Sequence, residues 1–473
     1  MILLSFWMGC ATGLDELVPA DALALALPPV FDPETGPVAI GADVRSAVVV
    51  NAEGAVIRQL TDATWDGLDA AGDPAPVGTY TIRGISSAFG GVPRAAVGEI
   101  GLVRVGFTAV YAEGDDETAV RVPLYWHGDK VLMDDGAAIA TADLDGDGFA
   151  PVWASLNDSP DTGATQPVAW ASASRPILTF ILGQSDVRAG SNIDGQGLRV
   201  EIPGWTVLSG SPLADGVPVV VQKDTPLAET VGVIEETLPI SFVVDADDDE
   251  LTVATQGLPV RFYATLGPET FTATDARYNA WVAAIDPALR AIQGTAPEHD
   301  AVLNALVDWL YFDAEVSYDT RYGASAYVSY RGDDWTRANF QFSDFLERRM
   351  GTVVNCTDCA AILGAYANML GAALDYTIIL QNFPLNQIKG IGLDEFTNCP
   401  FGRGGCGFSY HAVTTDDAGG TIWDATLALD GDADPYAAPN EELLVQTISG
   451  EEYLDRLTDG DAVYKYQSQG TIQ

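Results

Sequence analysis

The sequence predicts a multidomain chain with β-sandwich domains in its first half and an α+β domain in its last third. The first observation is length: the chain has 473 residues, and a single domain typically holds about 100 to 200. More than one domain is therefore expected. Composition is the second: 47% apolar residues can fill several cores, and 48 Gly with 26 Pro supply the turns between many short strands. The third is a change from strand-like to helix-like periodicity near residue 270.

The first residues, MILLSFWMGC, form a short apolar run that ends in Gly9 and Cys10. This pattern resembles the end of a bacterial lipoprotein signal, which implies lipid modification of Cys10. Trp7 departs from that pattern, no basic residue precedes the run, and nine residues are too few for a full signal peptide. A mis-assigned start codon would explain all three departures, and the alternative is a cytosolic chain with an apolar first strand. We interpret residues 1–29 as a truncated signal segment and linker. No later segment has the roughly 18 consecutive apolar residues of a membrane helix.

The charge of the chain is strongly one-sided, with 67 Asp and Glu against 23 Lys and Arg, a formal net charge of −44. Nucleic acid is therefore excluded as a partner class. Self-repulsion of this size is tolerated best where salt or bound cations screen it, which favours a saline or calcium-containing exterior. The simpler interpretation is a solvated acidic surface that only keeps the protein soluble.

Residues 30–110 alternate short β-type runs with turn signals, as in the predicted hairpin of Ser46–Asn51 and Val56–Leu60. The stretch WDGLDAAGDPAPVGTYT follows, from Trp65 to Thr81. It resembles the Ig-like domain of flagellar hook-capping proteins over residues 40–85. The resemblance implies a β-sandwich spacer and says nothing about chemistry.

Further strand-like runs, including Ile177–Leu182, predict a second β-rich domain over residues 111–265. The acidic run Asp245–Glu250 lacks the glycine of a calcium loop, and we interpret it as the tip of a hairpin. Beyond this domain, residues 266–300 are predicted as a helical connector, in which Pro287 and Pro297 are expected to break the helical pattern.

The second domain also contains a candidate calcium loop. Asp143, Asp145 and Asp147 occupy the first, third and fifth positions of such a loop, with Gly148 at the sixth. Ala154 stands at the twelfth position, where an EF-hand needs a bidentate Glu, so a full EF-hand is excluded. Two interpretations remain, a looser extracellular calcium loop and a solvated acidic turn.

His411 lies in an alternating strand pattern, GFSYHAVTT, which turns back through an acidic and glycine-rich segment towards Asp424. If the hairpin closes symmetrically about Asp417 and Ala418, His411 faces Asp424 directly, with Cβ atoms about 4.5 to 5.5 Å apart. That arrangement suits a carboxylate that holds an imidazole in one tautomer. A slip of one residue would place the two on opposite faces, and a purely structural hydrogen bond is the alternative.

Cys356 precedes a nearly continuous apolar stretch that predicts a helix buried on most faces, with Asn355 and Asp358 in its first turn. The positive end of a helix dipole favours a thiolate, and a neighbouring histidine can take its proton. Cys356 is therefore the candidate nucleophile.

The order of these motifs resembles that of transglutaminase-like domains, a branch of the papain-type thiol enzymes. The matching residues are Cys356 and Asp358 at a helix start, then Gly371, then His411 and Asp424 on successive strands. The resemblance implies that residues 301–460 form an α+β transglutaminase/papain-like domain, followed by a tail at 461–473. It also implies that Cys356 attacks the substrate, His411 transfers the proton and Asp424 orients His411. The residue after Gly371 departs from the family pattern.

The other cysteines leave alternatives open. Cys359 stands where the family usually has an apolar residue, and it is the alternative nucleophile. Cys356 and Cys359 could instead form a redox pair, a disulfide, or half of a metal site. Cys399 and Cys406 flank a glycine-rich segment with a gap too long for a usual zinc knuckle, so we expect a disulfide that closes this loop.

These features together predict an exported thiol enzyme, lipid-anchored at the cell envelope or extracellular, that acts on amide bonds of polypeptides or cell-wall peptides. Hydrolysis is favoured over cross-linking. No cofactor is required, with structural calcium as the one candidate, and the only expected membrane contact is the lipid anchor. The alternative is a non-catalytic surface protein for adhesion or binding. An oxyanion hole would need the Cys356 backbone N–H and one side-chain donor, which the sequence does not identify.

Overall fold

The structure is a computed structural model in which strands dominate and form several separate sheets. This agrees with the predicted multidomain β-rich fold. It describes residues 22–28, 30–33, 36–41, 43–76, 78–86, 94–102, 107–113, 121–122, 124–125, 153–156, 159–165, 167–182, 198–210, 217–246, 249–268, 270, 280–331, 334–401, 406–416, 420–432, 441–458, 464–468 and 471–472. Cys10 and the three aspartates of the candidate calcium loop, Asp143, Asp145 and Asp147, lie outside the described residues.

The N-terminal strands surround Trp65, whose indole is fully buried and has the rings of Phe31 and Tyr80 at 5.2 and 5.0 Å. The strands are β1 (Leu23–Ala24), β2 (Val30–Phe31), β3 (Val38–Ala39), β4 (Val44–Asn51), β5 (Val56–Leu60), β6 (Thr64–Trp65), β7 (Gly78–Ser86) and β8 (Arg94–Leu102). One sheet has the order β1-β8-β7-β4-β5, with β2 also on β8, and β3 pairs with β6. The predicted β4–β5 hairpin is confirmed by its antiparallel ladder.

The next strands form two sheets that share one core, because buried Phe180 of one sheet and Phe262 of the other belong to the same apolar cluster. The strands are β9 (Phe107–Glu113), β10 (Arg121–Val122), β11 (Leu124–Tyr125), β12 (Trp153–Leu156), β13 (Ser159–Thr165), β14 (Pro167–Ala171), β15 (Ile177–Leu182), β16 (Arg199–Glu201), β17 (Trp205–Ser209), β18 (Val219–Lys223), β19 (Gly232–Ala246) and β20 (Asp249–Thr265). The sheet orders are β10-β14-β20-β19-β16 and β13-β12-β9-β15-β18-β17. The acidic tip predicted near Asp245 is confirmed, since Asp245 pairs with Glu250 at the end of the β19–β20 ladder.

The C-terminal elements combine one large sheet with short helices. They are β21 (Ala280–Trp281), α1 (Val282–Ala291), α2 (His299–Asp308), a π-helical turn (Trp309–Asp313), β22 (Ser317–Tyr318), β23 (Val328–Arg331), β24 (Asp334–Phe340), α3 (Phe342–Leu346), β25 (Val353–Val354), α4 (Cys356–Met369), β26 (Asp375–Pro384), β27 (Ile388–Gly390), β28 (Gly407–Thr415), β29 (Thr421–Asp430), β30 (Glu442–Ser449), α5 (Gly450–Leu457), β31 (Tyr464–Ser468) and β32 (Thr471–Ile472). The sheet order is β27-β29-β28-β26-β31, with β30 on the other side of β29. Antiparallel pairing thus places β28 and β29 at its centre, and α4 packs on both.

Helix α4 is buried on most faces, as its sequence predicts. Its first turn is closed by a capping box, in which the Asn355 side chain accepts from the Asp358 N–H and the Asp358 side chain accepts from the Asn355 N–H. At its other end Gly371 has φ +87°, and a Cβ there would lie 2.7 Å from the backbone of Gly267. Only glycine fits this close approach, so the end of α4 is fixed by the segment of the same chain around Gly267.

The prediction that Pro287 breaks the connector was wrong, because Pro287 lies inside α1. Its ring removes a hydrogen bond only to the first turn of α1, while Ile285, Ala288 and Leu289 are fully buried on the same helix. Packing therefore outweighs the local preference of proline. Among the described residues, every helix is too short or too polar to cross a membrane.

Candidate active site

His411 and Asp424 form a buried hydrogen-bonded pair between β28 and β29. The Nε2 atom of His411 lies 2.7 Å from Oδ2 of Asp424, and the two residues are 0% and 2% exposed. A buried imidazole with a carboxylate on one nitrogen is held in one orientation, and the carboxylate favours its charged form.

The predicted register of this hairpin was wrong by two residues. Thr414 pairs with Trp423 and Thr415 with Ile422, so His411 is not directly opposite Asp424. The turn is set by Asp416, whose side chain accepts from the N–H groups of Gly420 and Thr421. A shift of two preserves the face of every side chain, and His411 therefore still reaches Asp424 along the diagonal of the ladder.

Two further groups hold the Asp424 carboxylate. The hydroxyl of Tyr453 donates to Oδ2 at 2.8 Å, and the N–H of Thr426 donates to Oδ1 at 2.8 Å. Tyr453 comes from α5 and is fully buried. Sequence reasoning missed it, since the only local signal was one aromatic residue on the apolar side of a charged helix.

Cys356 is the first residue of α4 and lies against the same histidine. Its side chain is near enough to His411 to affect the pKa of the imidazole. Burial opposes the charged imidazole, but Asp424 and then Cys356 outweigh it and raise the pKa of His411 to about 10. No directed hydrogen bond from Nδ1 of His411 is formed to any described residue. The ring thus has one nitrogen on Asp424 and the other without a hydrogen bond to a described residue.

The exposure of Cys356 is only 3%. A layer of aromatic rings adjoins the pair: Phe408 stacks on His411 with ring centroids 4.9 Å apart, and Phe401 packs on Phe408 at 5.7 Å. The Tyr318 ring reaches the same layer, 6.0 Å from Phe401. The site is therefore a closed, largely apolar environment, in which charge interactions are stronger than in water.

Tyr318 belongs to β22, which pairs in parallel with β25 directly before α4, so that Tyr318 is opposite Val354. Burial and then the charge of Cys356 raise the pKa of Tyr318 well above its ordinary range. The phenol therefore stays protonated and remains a hydrogen-bond donor.

Asp358, two residues after Cys356, links the start of α4 to a neighbouring loop through hydrogen bonds. Its carboxylate accepts five hydrogen bonds, from the Ser325 hydroxyl and the N–H groups of Ala326, Tyr327, Val328 and Asn355. The loop before β23 is thereby tied to the first turn of the helix. Burial nevertheless raises the pKa of Asp358, with these hydrogen bonds opposing the shift.

Cys359 faces a different environment from Cys356. It is fully buried, and burial followed by the charge of Asp358 raises its pKa well above the ordinary range. A nucleophilic thiol needs the opposite conditions. Neither Cys356 nor Cys359 is bonded to another sulfur in the described part of the chain.

The other candidate residues lie outside this cluster. Cys399 and Cys406 are joined by a disulfide, one residue before β28 begins. Within the described ranges, no group of three or more His, Cys, Asp or Glu side chains could hold a metal ion. Of the other two histidines, His299 is on the surface beside Asp300, and His127 falls outside the described residues.

Comparison with known proteins adds no family. No family model matches the chain, and no curated protein matches it. Among solved structures it is similar to a protein from Corynebacterium diphtheriae proposed to be membrane anchored, at 10% identity over 52% of this chain and 59% of that one, with a TM-score of 0.13. It is also similar to cadherin-like domains 1 to 4 of zebrafish RET, at 9% identity over 48% and 42%, with a TM-score of 0.12. This chain spans less than two thirds of either structure, and TM-scores this low carry no argument about fold or function.

Proposed function

We propose that the chain is a transglutaminase-like thiol enzyme that acts on amide bonds through Cys356, His411 and Asp424. The observation that carries the proposal is the buried His411–Asp424 pair at 2.7 Å, whose second ring nitrogen has no hydrogen bond to a described residue. The thiol of Cys356, at a helix N-terminus, is near enough to contribute to the raised pKa of His411. If the His411–Asp424 hydrogen bond had only a structural role, no thiol would be needed beside the imidazole. The three groups together match the needs of nucleophilic acyl transfer.

The reaction begins with attack of the Cys356 thiolate on the amide carbonyl carbon. His411, charged and held by Asp424, donates its proton to the leaving amine as the carbon–nitrogen bond breaks. Water then gives a proton to neutral His411 and attacks the thioester, which releases a carboxylic acid and restores the thiol–histidine pair. An amine in place of water would give a cross-linked product, and we favour hydrolysis.

Two donors support the oxyanion of each tetrahedral intermediate. The backbone N–H of Cys356 is at the first position of α4, where helical N–H groups have no intrahelical partner. The hydroxyl of Tyr318 is the side-chain donor within electrostatic reach of the thiol. Loss of one such donor lowers kcat by about 10²- to 10³-fold. Tyr318→Phe should show this loss while alkylation of Cys356 continues, and Tyr311→Phe, which loses a hydrogen bond to the Lys389 carbonyl, is the matched control.

Alkylation by iodoacetamide near pH 6 after mild reduction tests the thiol. Mass spectrometry should locate the label on Cys356, and the label should disappear in His411→Ala. Cys359→Ala is the matched control and should be labelled like the original chain. Uniformly slow labelling of all thiols, or equal labelling of His411→Ala, would overturn the proposal.

A second assay separates the two chemistries. A fluorescent casein substrate and a fluorescent primary amine are offered together. New peptide termini without amine incorporation would support hydrolysis, whereas amine incorporation alone would support cross-linking. Failure of both would leave the non-catalytic binding scaffold as the better function, which the 3% exposure of Cys356 favours.

We also propose that the chain is exported and anchored through a lipid on Cys10. Mass spectrometry of the N-terminal peptide from native membranes tests this, since an unmodified N-terminal Met would contradict it. For the loop of Asp143, Asp145 and Asp147, calcium should raise the melting temperature, and the rise should disappear in Asp145→Ala.

A further inference from the structure

A cavity lies away from the candidate active site, between α1, the π-helical turn, α3 and α4. Its volume is about 360 Å³, within the usual range of about 300 to 1,000 Å³ for small-molecule sites. Tyr366, which represents α4 in its wall, is about 15 Å along the helix axis from Cys356. The lining residues are Ala283, Pro287, Trp309, Ser343, Phe345, Leu346, Glu347, Arg348 and Tyr366.

Aromatic rings form much of the wall of this cavity. Trp309 and Tyr366 meet edge to face with centroids 5.1 Å apart. Arg348 lies over Phe345, with Cζ 4.3 Å from the ring centroid. The wall therefore suits a flat apolar body, with one guanidinium at its edge.

One nitrogen of Arg348 is buried without a partner. Its Nη2 donates to the Ala314 carbonyl at 2.9 Å, whereas Nη1 has no hydrogen-bond partner among the described residues. The Arg348 backbone has φ 53°, in the left-handed region that non-glycine residues rarely adopt. The turn after α3 thus holds this side chain in place although one of its donors is unsatisfied, which is unfavourable unless an acceptor is supplied.

Two carboxylates of the same short segment do not supply that acceptor. Asp344 and Glu347 are both paired with Arg349, at 2.8 and 2.6 Å, on the same turn. The chain has 67 acidic and 23 basic residues. Among the described residues, Nη1 of Arg348 nevertheless has no carboxylate partner.

We propose that this cavity binds a monocarboxylate with a flat apolar body. Its carboxylate would bond Nη1 of Arg348, since guanidinium–carboxylate hydrogen bonds are among the strongest in proteins. Its apolar body would lie against Trp309, Phe345 and Tyr366. Glu347 in the same wall disfavours a dianion such as phosphate by charge repulsion.

Calorimetry with 3-phenylpropionate tests the proposal, with 3-phenylpropionamide as the uncharged match. The acid should bind, and both the amide and the Arg348→Gln variant should bind about tenfold more weakly or worse. Equal binding of acid and amide, or undiminished binding by Arg348→Gln, would overturn it. N-acetyl-Ala-Phe extends the test to peptides: tighter binding than the small acid identifies a peptide C-terminus as the source, and weaker binding a free organic acid.

A second variant keeps the test valid if Arg348→Gln does not fold. Glu347→Gln leaves Arg348 in place and removes the repulsive charge, so it should bind 3-phenylpropionate a few-fold more tightly. Weaker or unchanged binding would count against the proposal. Cys356→Ala should bind like the original chain, because this site does not depend on the proposed thiol chemistry.

Discussion

Two buried aspartates of the C-terminal region are held in different ways. Asp358 accepts five hydrogen bonds, four of them from backbone N–H groups of the loop and helix start around it. Asp424 accepts from only one backbone N–H, and its other partners are the ionisable side chains of His411 and Tyr453. A carboxylate surrounded by backbone donors fixes chain geometry, whereas one that faces an imidazole also controls a proton. We therefore expect Asp358 to determine stability and Asp424 to determine activity.

The largest expected effect is on activity in Asp424→Asn. An asparagine keeps the shape and can accept from Thr426, but it cannot stabilise a charged His411. Amide cleavage should fall on the order of 10³- to 10⁴-fold, and the free energy of unfolding at neutral pH should fall as well, because the buried His411 loses its charged partner. Steady-state kinetics and urea unfolding measure the two quantities. Activity close to that of the original chain would show that Asp424 does not orient the histidine.

The largest expected effect on stability is in Asp358→Ala. Five donors lose their acceptor in a buried place, so the free energy of unfolding should fall by about 3 kcal/mol or more. Asp358→Asn keeps one acceptor oxygen and should lose less. Urea unfolding checks both, and a midpoint unchanged in Asp358→Ala would contradict the structural role. The folded Asp358→Asn variant should keep far more activity than Asp424→Asn.

The protonation of His411, which Asp424 favours, can be measured directly. With only three histidines in the chain, ¹⁵N NMR can follow each ring. His411, whose pKa is raised to about 10, should stay protonated at pH 8 and lose its proton earlier in Asp424→Asn. Its stabilising contribution is therefore complete below about pH 6.5, the usual histidine pKa, and is lost as the pH rises through about 10. Deprotonation near pH 6.5 in the folded protein would contradict this prediction.

The smallest expected effect is in Tyr453→Phe, which removes one donor from Asp424 and leaves the other two. The free energy of unfolding should fall by about 1 kcal/mol, and activity should fall only a few-fold. The same two measurements apply, with Tyr311→Phe as the control for loss of a buried phenol hydroxyl. A loss of activity as large as in Asp424→Asn would mean that Tyr453, not His411, is the main partner of the carboxylate.

Sequence reasoning succeeded where the causes were local and failed where they were distant. Asn355 and Asp358 lie within four consecutive residues, and both are at the start of α4 as predicted, where they form a capping box. The β28–β29 register depended on the side chain of Asp416 within the turn, which symmetric closure ignored. The contact of Tyr453 with Asp424 depends on where α5 docks, and no spacing in the sequence encodes that position.

The cavity at Arg348 is another feature that depends on residues distant in sequence. Its wall comes from four elements that are separated along the chain, so no single sequence motif could predict it. The Asp344, Glu347 and Arg349 charges in one short segment would suggest a neutralised surface turn. Only the three-dimensional pairing shows that Arg349 takes both acids.

The near-complete burial of Cys356 has a consequence for timing. If Cys356 is the nucleophile as proposed, a group that meets the solvent with 3% of its surface would react only during brief openings of its surroundings, and its speed would be set by how often they occur. The chemical strength of the thiolate would then matter less than the movement of the aromatic residues around the site, among them Phe408 on His411. A substrate that wedges these rings apart would be processed faster than one that merely binds tightly, and selectivity would arise from the entrance and not from the reacting atoms.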